Sequence, residues 1–161
     1  MNLYGLVKVL HILAVTAVIA GTVGRAMIRA RVLRLDDIHI VSEFVDLEGL
    51  FDEWLVVRGS IVTLLTGLLL TWLGHWPLVQ AGVPTWTLVG TVLFLATIPL
   101  AIWVYIPRGK VFGKVFQDAL AQKRVTVELR AAFSDQVIRA SYLYEYIMLP
   151  VVLGLMVIKP F

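Results

Sequence analysis

The stretch Trp86-Thr87-Leu88-Val89-Gly90-Thr91-Val92-Leu93-Phe94-Leu95-Ala96-Thr97-Ile98-Pro99-Leu100-Ala101-Ile102-Trp103-Val104-Tyr105 contains no charged side chain. About 20 such residues wound as a helix cross the hydrocarbon core of a bilayer. Three more runs of that kind flank it. Leu3 to Gly24 tolerates Lys8 and His11, Phe51 to Leu73 carries Arg58 in its first third, and Val137 to Ile158 carries Arg139 near its start and Glu145 further in. The composition agrees, with 60% hydrophobic and 16% charged residues and a mean hydropathy of +0.89. Soluble domains hold about 25% charged residues. Residues 1–161 therefore read as a single four-span transmembrane domain, an all-α integral membrane four-helix bundle.

Of the 14 Lys and Arg, all but Lys8 and Lys159 fall between spans one and two or between three and four, counting Arg58 and Arg139 at the rims. Gly74 to Thr85 has none. Lys and Arg accumulate in cytoplasmic loops, so both long connections are expected in the cytoplasm and both termini outside. The sequence pI of 9.4 stems from those clusters and does not call for nucleic acid. Trp72, Trp76 and Trp86 flank the short loop as an interfacial aromatic belt, and Trp54 marks the other rim. Charges come after the first span instead of preceding it, so it is expected to be retained and not cleaved as a signal peptide. With no cysteine, disulfides, thiolate metal sites and cysteine nucleophiles are excluded.

Both cytoplasmic connections read as amphipathic helices. Asp36 and Asp37 can cap one whose apolar face is Ile40, Phe44, Leu47 and Phe51, with Glu43, Asp46, Asp52 and Glu53 opposite. Phe112, Phe116, Ala119 and Leu120 repeat the pattern beside Lys110, Lys114 and Lys123. That second helix either lies against anionic headgroups or extends span three onto the bundle.

Helices in lipid associate through close packing of small residues. Gly59, Thr63, Gly67 and Thr71 put such a stripe on span two, suited to a neighbour in the chain, a homo-oligomer or a membrane-protein partner. On span one, His11, Ala14, Val18, Gly21 and Arg25 share a face, with Lys8 one turn before His11; that face is expected to look inward. Pro99 and Pro150 predict kinks, each removing a hydrogen bond to the carbonyl four residues back, at Leu95 and Tyr146.

Ionisable groups inside a membrane are costly and mark functional positions. Arg58 and Glu145 lie at matching depths, roughly 10 Å and roughly 9 Å inside their spans, and are expected to pair, with Tyr142 or Tyr146 hydrogen-bonding nearby. The pair either sets helix register or forms a proton or ligand site. His11 belongs to another layer, roughly 12 Å from Leu3. It reads either as a satisfied structural histidine or as an axial ligand for haem iron or another metal. His75, Met148 and Met156 are the second-ligand candidates, whereas His39 is too far along the chain. No phosphate loop, paired metal-ligand spacing or Ser-His-Asp arrangement accompanies Ser42, Ser60, Ser134 or Ser141.

Leu6-Val7-Lys8-Val9-Leu10-His11-Ile12 with Gly21, Thr66-Gly67-Leu68-Leu69-Leu70, and the closing Leu155-Met156-Val157-Ile158-Lys159-Pro160 resemble a family of small four-span bacterial membrane proteins. Those in turn are similar to the HemJ-type protoporphyrinogen oxidases and CopD copper-resistance membrane proteins. The resemblance implies a bacterial inner-membrane protein binding haem b through His11, for electron transfer or porphyrin oxidation. The second haem ligand of the HemJ group is a lysine on a later span, and span three here has none. Val18 stands where those relatives tend to carry tryptophan. The alternative function is a non-enzymatic membrane scaffold or small-solute transport module, whose mark would be polar side chains continuing between the depths of His11 and Glu145.

Overall fold

The computed structural model describes residues 2–160. Four helical rods make up the chain: Leu3–Val32, Ile38–Leu73, Trp86–Ala121 and Val127–Ile158, of 30, 36, 36 and 32 residues. At 1.5 Å per residue they measure about 45–54 Å, against a hydrocarbon core of about 30 Å. Each is therefore long enough to cross a bilayer and project beyond it, and the four-span all-α bundle is the fold.

The first rod is α1 (Leu3–Val32), started by Asn2, whose side chain accepts from Gly5 N at 2.8 Å. The second joins α2 (Ile38–Leu50) to α3 (Arg58–Leu73) through a π-helical segment, Phe51–Val57. Asp37 caps α2, accepting from His39 N at 2.8 Å, as its position predicts. A small hairpin comes next, β1 (Val79–Gln80) paired antiparallel with β2 (Val83–Pro84). Its turn residues, Ala81 and Gly82, both have positive φ, 51° and 79°, the geometry whose twist matches paired strands.

The third rod runs α4 (Trp86–Leu95), α5 (Thr97–Leu100), a second π-helical segment Ala101–Tyr105, and α6 (Ile106–Ala121). The break after Leu95 is where Pro99 removes the hydrogen bond that Leu95 would accept. The fourth rod is α7 (Val127–Phe133) and α8 (Gln136–Ile158), and α8 remains helical through Pro150.

The two amphipathic connections are thus helical extensions of spans two and three. Their apolar faces meet protein: Phe116 and Ala119 join Ile28, Val32, Ile38, Val41, Leu129 and Phe133 in the principal buried cluster, with Phe112 and Leu120 packed against it. This corrects the headgroup-lying reading of the second connection. On α2 the buried face is Ile38, Val41 and Glu48, while Ile40 and Leu47 are exposed. The observed face is rotated from the expected one because a carboxylate, Glu48, turns inward to meet an arginine of α1. The cluster lies at the charged ends of the rods, where water supplies a driving force for burial that lipid does not.

Within the apolar lengths, α1 packs along α3 and its π-helical neighbour, and α4 along α8; the two pairs touch each other thinly. The small-residue stripes make the first contact. A Cβ on Gly59 would lie 3.0 Å from Val18 Cγ2, and one on Gly21 would lie 2.7 Å from Leu55 Cβ. The span-two stripe is therefore occupied by span one of the same chain. The thin seam between the two helix pairs leaves two cavities, one toward the termini and one toward the basic ends.

Candidate functional site: two cavities in the seam

The larger cavity, about 1060 Å³, lies toward the basic ends and is lined by Arg25, Glu48, Asp52, Tyr105, Tyr142 and Glu145 among others. Arg25 comes from the inward face of α1 and is 3% exposed. One of its terminal nitrogens donates to Asp52 Oδ1 at 2.7 Å and the other to Glu145 Oε2. Tyr105 donates its hydroxyl to Glu145 Oε1 at 2.7 Å, and the Arg25 guanidinium lies over the Tyr142 ring at 4.2 Å. One turn along α1, Arg29 reaches the buried Glu48 Oε1 through Nε at 3.2 Å and Nη2 at 3.1 Å, its guanidinium 5.0 Å from the same Tyr142 ring. A buried charge without a partner would cost several kcal/mol, so these groups hold one another in place.

Both π-helical segments sit at this level: Asp52 belongs to one and Tyr105 to the other. An extra residue in a turn shifts the angular phase of the residues after it, which brings these two side chains to the seam. The same widening lets Arg58 fold back onto Glu53, five residues earlier, at 2.5 Å, stacked on the Trp54 ring at 3.6 Å. The expected Arg58 to Glu145 pair is therefore corrected. Glu145 pairs with Arg25, and Arg58 is turned outward because its neighbour Gly59 already faces α1. Neither Tyr142 nor Tyr146 hydrogen-bonds the carboxylate; Tyr105 does, and Tyr142 contributes its ring face. The missed partner, Arg25, was visible on the inward face of span one as the last member of the His11 stripe.

The second cavity, about 570 Å³, lies toward the termini and is lined by His11, Lys8, Thr63, Gly67, Met156 and Lys159 among others. That volume is in the range of about 300–1,000 Å³ usual for small-molecule sites. His11 is buried and packs against Gly67, where a Cβ would lie 3.1 Å from its Cε1. Its Nδ1 is 2.9 Å from Thr66 Oγ1. The Thr66 hydroxyl has one hydrogen and directs it to backbone carbonyls, Val62 O at 2.6 Å and Thr63 O at 3.2 Å. When the Thr66 hydrogen is so directed, the imidazole donates from Nδ1 and keeps the lone pair on Nε2. Thr63 Oγ1, buried in the same wall, has no hydrogen-bond partner.

The mouth of this cavity is aromatic and basic. Trp76 and Trp86 meet tilted at 60° with ring centres 5.2 Å apart, Tyr4 meets Trp76 edge-on at 6.3 Å, and Lys159 Nζ lies 4.6 Å from the Trp76 ring. Lys159 turns in through a left-handed residue conformation, φ 49°, at the end of α8. Of the second-ligand candidates, Met156 lines this cavity, Met148 lines the other, and His75 lines neither. Among the described residues no three His, Cys, Asp or Glu side chains gather to hold a bare metal ion. The two cavities share Val18, Phe94 and Leu149 as walls. Those residues are apolar, so the polar continuity that a solute conduit requires is interrupted there.

Rods long and apolar enough to span, with ion pairs buried between them, define a multi-spanning integral membrane protein. The chain belongs to the family described as "Predicted integral membrane protein (DUF2269)", which matches residues 5–160. Neither a curated protein nor a solved structure matches it.

Proposed function

We propose that the chain is a tetrapyrrole-binding membrane protein, with haem b held by His11 in the cavity toward the termini, serving electron transfer or oxidation of a porphyrin-like substrate. The observation that carries this reading is the relay from His11 Nδ1 to Thr66 to the Val62 carbonyl. Histidine ligands are commonly fixed by such a donor bond from the other ring nitrogen, which sets both tautomer and ring orientation. A macrocycle brings four nitrogen donors of its own, so one histidine suffices where a bare metal would need several protein ligands.

The other residues of the cavity suit the same occupant. Lys8 and Lys159 can receive two carboxylates, and Trp76 and Trp86 offer faces to a flat ring. Met156, the thioether in the lining, would be a second residue able to hold the haem iron where span three has no lysine. Haem bound there would supply a one-electron iron centre. The protein's part is to orient Nε2, neutralise the carboxylates and keep water from the ring.

The same reading sets the chain in a bacterial inner membrane with both termini outside the cytoplasm, on the distribution of Lys and Arg. Protein expressed with haem supplementation and purified in detergent is expected to show a Soret band that is lost or shifted in His11→Ala. No Soret band in the wild-type protein, or one identical in His11→Ala, overturns the proposal.

A further inference from the structure

The basic end of the bundle carries four charges that the fold does not use. Among the described residues, Glu43 and Asp46 of α2 and Lys110 and Lys114 of α6 are exposed and form no salt bridge, although α2 and α6 are neighbours. Helix geometry keeps them apart. Both helices turn a buried face to the shared cluster, Ile38 and Val41 from α2 and Phe116 and Ala119 from α6. With 3.6 residues per turn, the charges fall on the opposite sides, Glu43 and Asp46 with Leu50, Lys110 and Lys114 with Gln117. One copy of the chain therefore presents an acidic face and a basic face, both turned away from its own core.

The membrane sets the height of each face. Trp54 and Trp103 are exposed on the second and third rods where the apolar lengths end, each inside a π-helical segment. Asp46 and Glu43 stand roughly 12 and 16 Å beyond Trp54, and Lys110 and Lys114 roughly 10 and 16 Å beyond Trp103. Copies inserted in one orientation share this frame, so they meet only side by side. Opposite charges then arrive at equal heights.

The two rods also run in opposite directions across the bilayer. Laying the α2 face of one copy on the α6 face of another sets Asp46 against Lys110 and Glu43 against Lys114, with Leu47 and Val111 together on one flank. Those two apolar residues are 40% and 62% exposed, roughly 10 and 12 Å beyond the same tryptophans, where water favours covering them. The charges select partner and register more than they add affinity.

We infer that the α2 face docks on the α6 face of a second copy of this chain, side by side in the membrane. Each copy offers one face of each kind, so the contact is heterologous, and a ring forms where the rotation between neighbours closes. An anionic lipid headgroup would answer the two lysines but leave the acidic face at matching height without a role.

The chain has no cysteine, so introduced thiols report the contact directly. Differently tagged Leu47→Cys and Val111→Cys chains are co-expressed, and native membranes are treated with a short bis-maleimide. A cross-linked dimer of the two tags is expected in the mixture, and none with either variant alone. Val127→Cys in place of Val111→Cys is the collision control, since Val127 lies at the same end and is 79% exposed but belongs to neither face. Lys110→Glu with Lys114→Glu on the Val111→Cys chain should lower the yield fivefold or more. Glu43→Lys with Asp46→Lys on the Leu47→Cys chain should then restore it, a rescue that misfolded chains would not show. A mixed yield no higher than the Val127 control, or one that the first reversal leaves unchanged or the second fails to restore, overturns the inference. So does a loss of bound anionic phospholipid on lysine reversal with the cross-link intact, which assigns the lysines to headgroups.

Discussion

Replacing Arg25 by Met removes the cation that two carboxylates share, and their burial decides which of them suffers. Asp52 has a side chain 40% exposed and can rehydrate, whereas Glu145, at 8%, is left charged and enclosed. Breaking a buried pair from one side costs about 3–5 kcal/mol. Adding Glu145→Gln removes the stranded charge while keeping an oxygen for the Tyr105 hydroxyl, so the double variant should recover much of the loss. The coupling between positions 25 and 145 should fall at about 1–3 kcal/mol. Arg58→Met provides the contrast: its pair with Glu53 is 48% and 59% exposed at the side chains, and such pairs are worth about 0–1 kcal/mol. Reversible unfolding in mixed micelles with increasing anionic detergent, run on the four members of each cycle, measures both couplings. The reasoning is refuted if Arg58→Met costs as much as Arg25→Met, or if positions 58 and 145 couple more strongly than 25 and 145.

Gly21→Ala places a methyl 2.7 Å from Leu55 Cβ and 3.3 Å from Val56 N, and should destabilise by about 1–3 kcal/mol in the same assay. Gly154→Ala meets nothing within 4 Å and should be neutral or stabilise by up to about 1 kcal/mol; a larger loss there than at Gly21 would contradict the packing described. Thr66→Val removes the acceptor for His11 Nδ1 and should weaken haem affinity about 10–100-fold in titrations monitored at the Soret band, an effect that Thr71→Val should not reproduce. Single cysteines at Arg34 and Lys123 should react with an impermeant thiol reagent from one membrane face and a cysteine at Gln80 from the other; labelling of all three from one side rejects the assigned orientation.

Much of the fold is written in local chemistry. Four apolar runs of bilayer length, basic connections and a stripe of small residues on span two are properties of single helices, and hydrophobicity, charge and 3.6-residue periodicity expose them to direct reading. The inward face of span one, from His11 through Val18 and Gly21 to Arg25, comes from the same periodicity; the structure buries those residues and leaves Lys8, expected on the same face, exposed. His11 was legible as a buried polar group, because a ring in a lipid-depth helix is conspicuous whatever surrounds it.

The sequence alone determined which segments lie at lipid depth and, on span one, the face that must be hidden. Tertiary structure decided which charges meet. Depth along a helix can be counted from residue numbers, but angle around it fails wherever a turn widens, and Phe51–Val57 widens just before Arg58. That turn sends Arg58 back to Glu53 and delivers Asp52 to Arg25, while the second one delivers Tyr105 to Glu145. Likewise only the packing shows that spans pair one with two and three with four, and that the loose seam between the pairs holds two cavities. Partner choice depends on distances between separate helices, and no pattern within one helix encodes them.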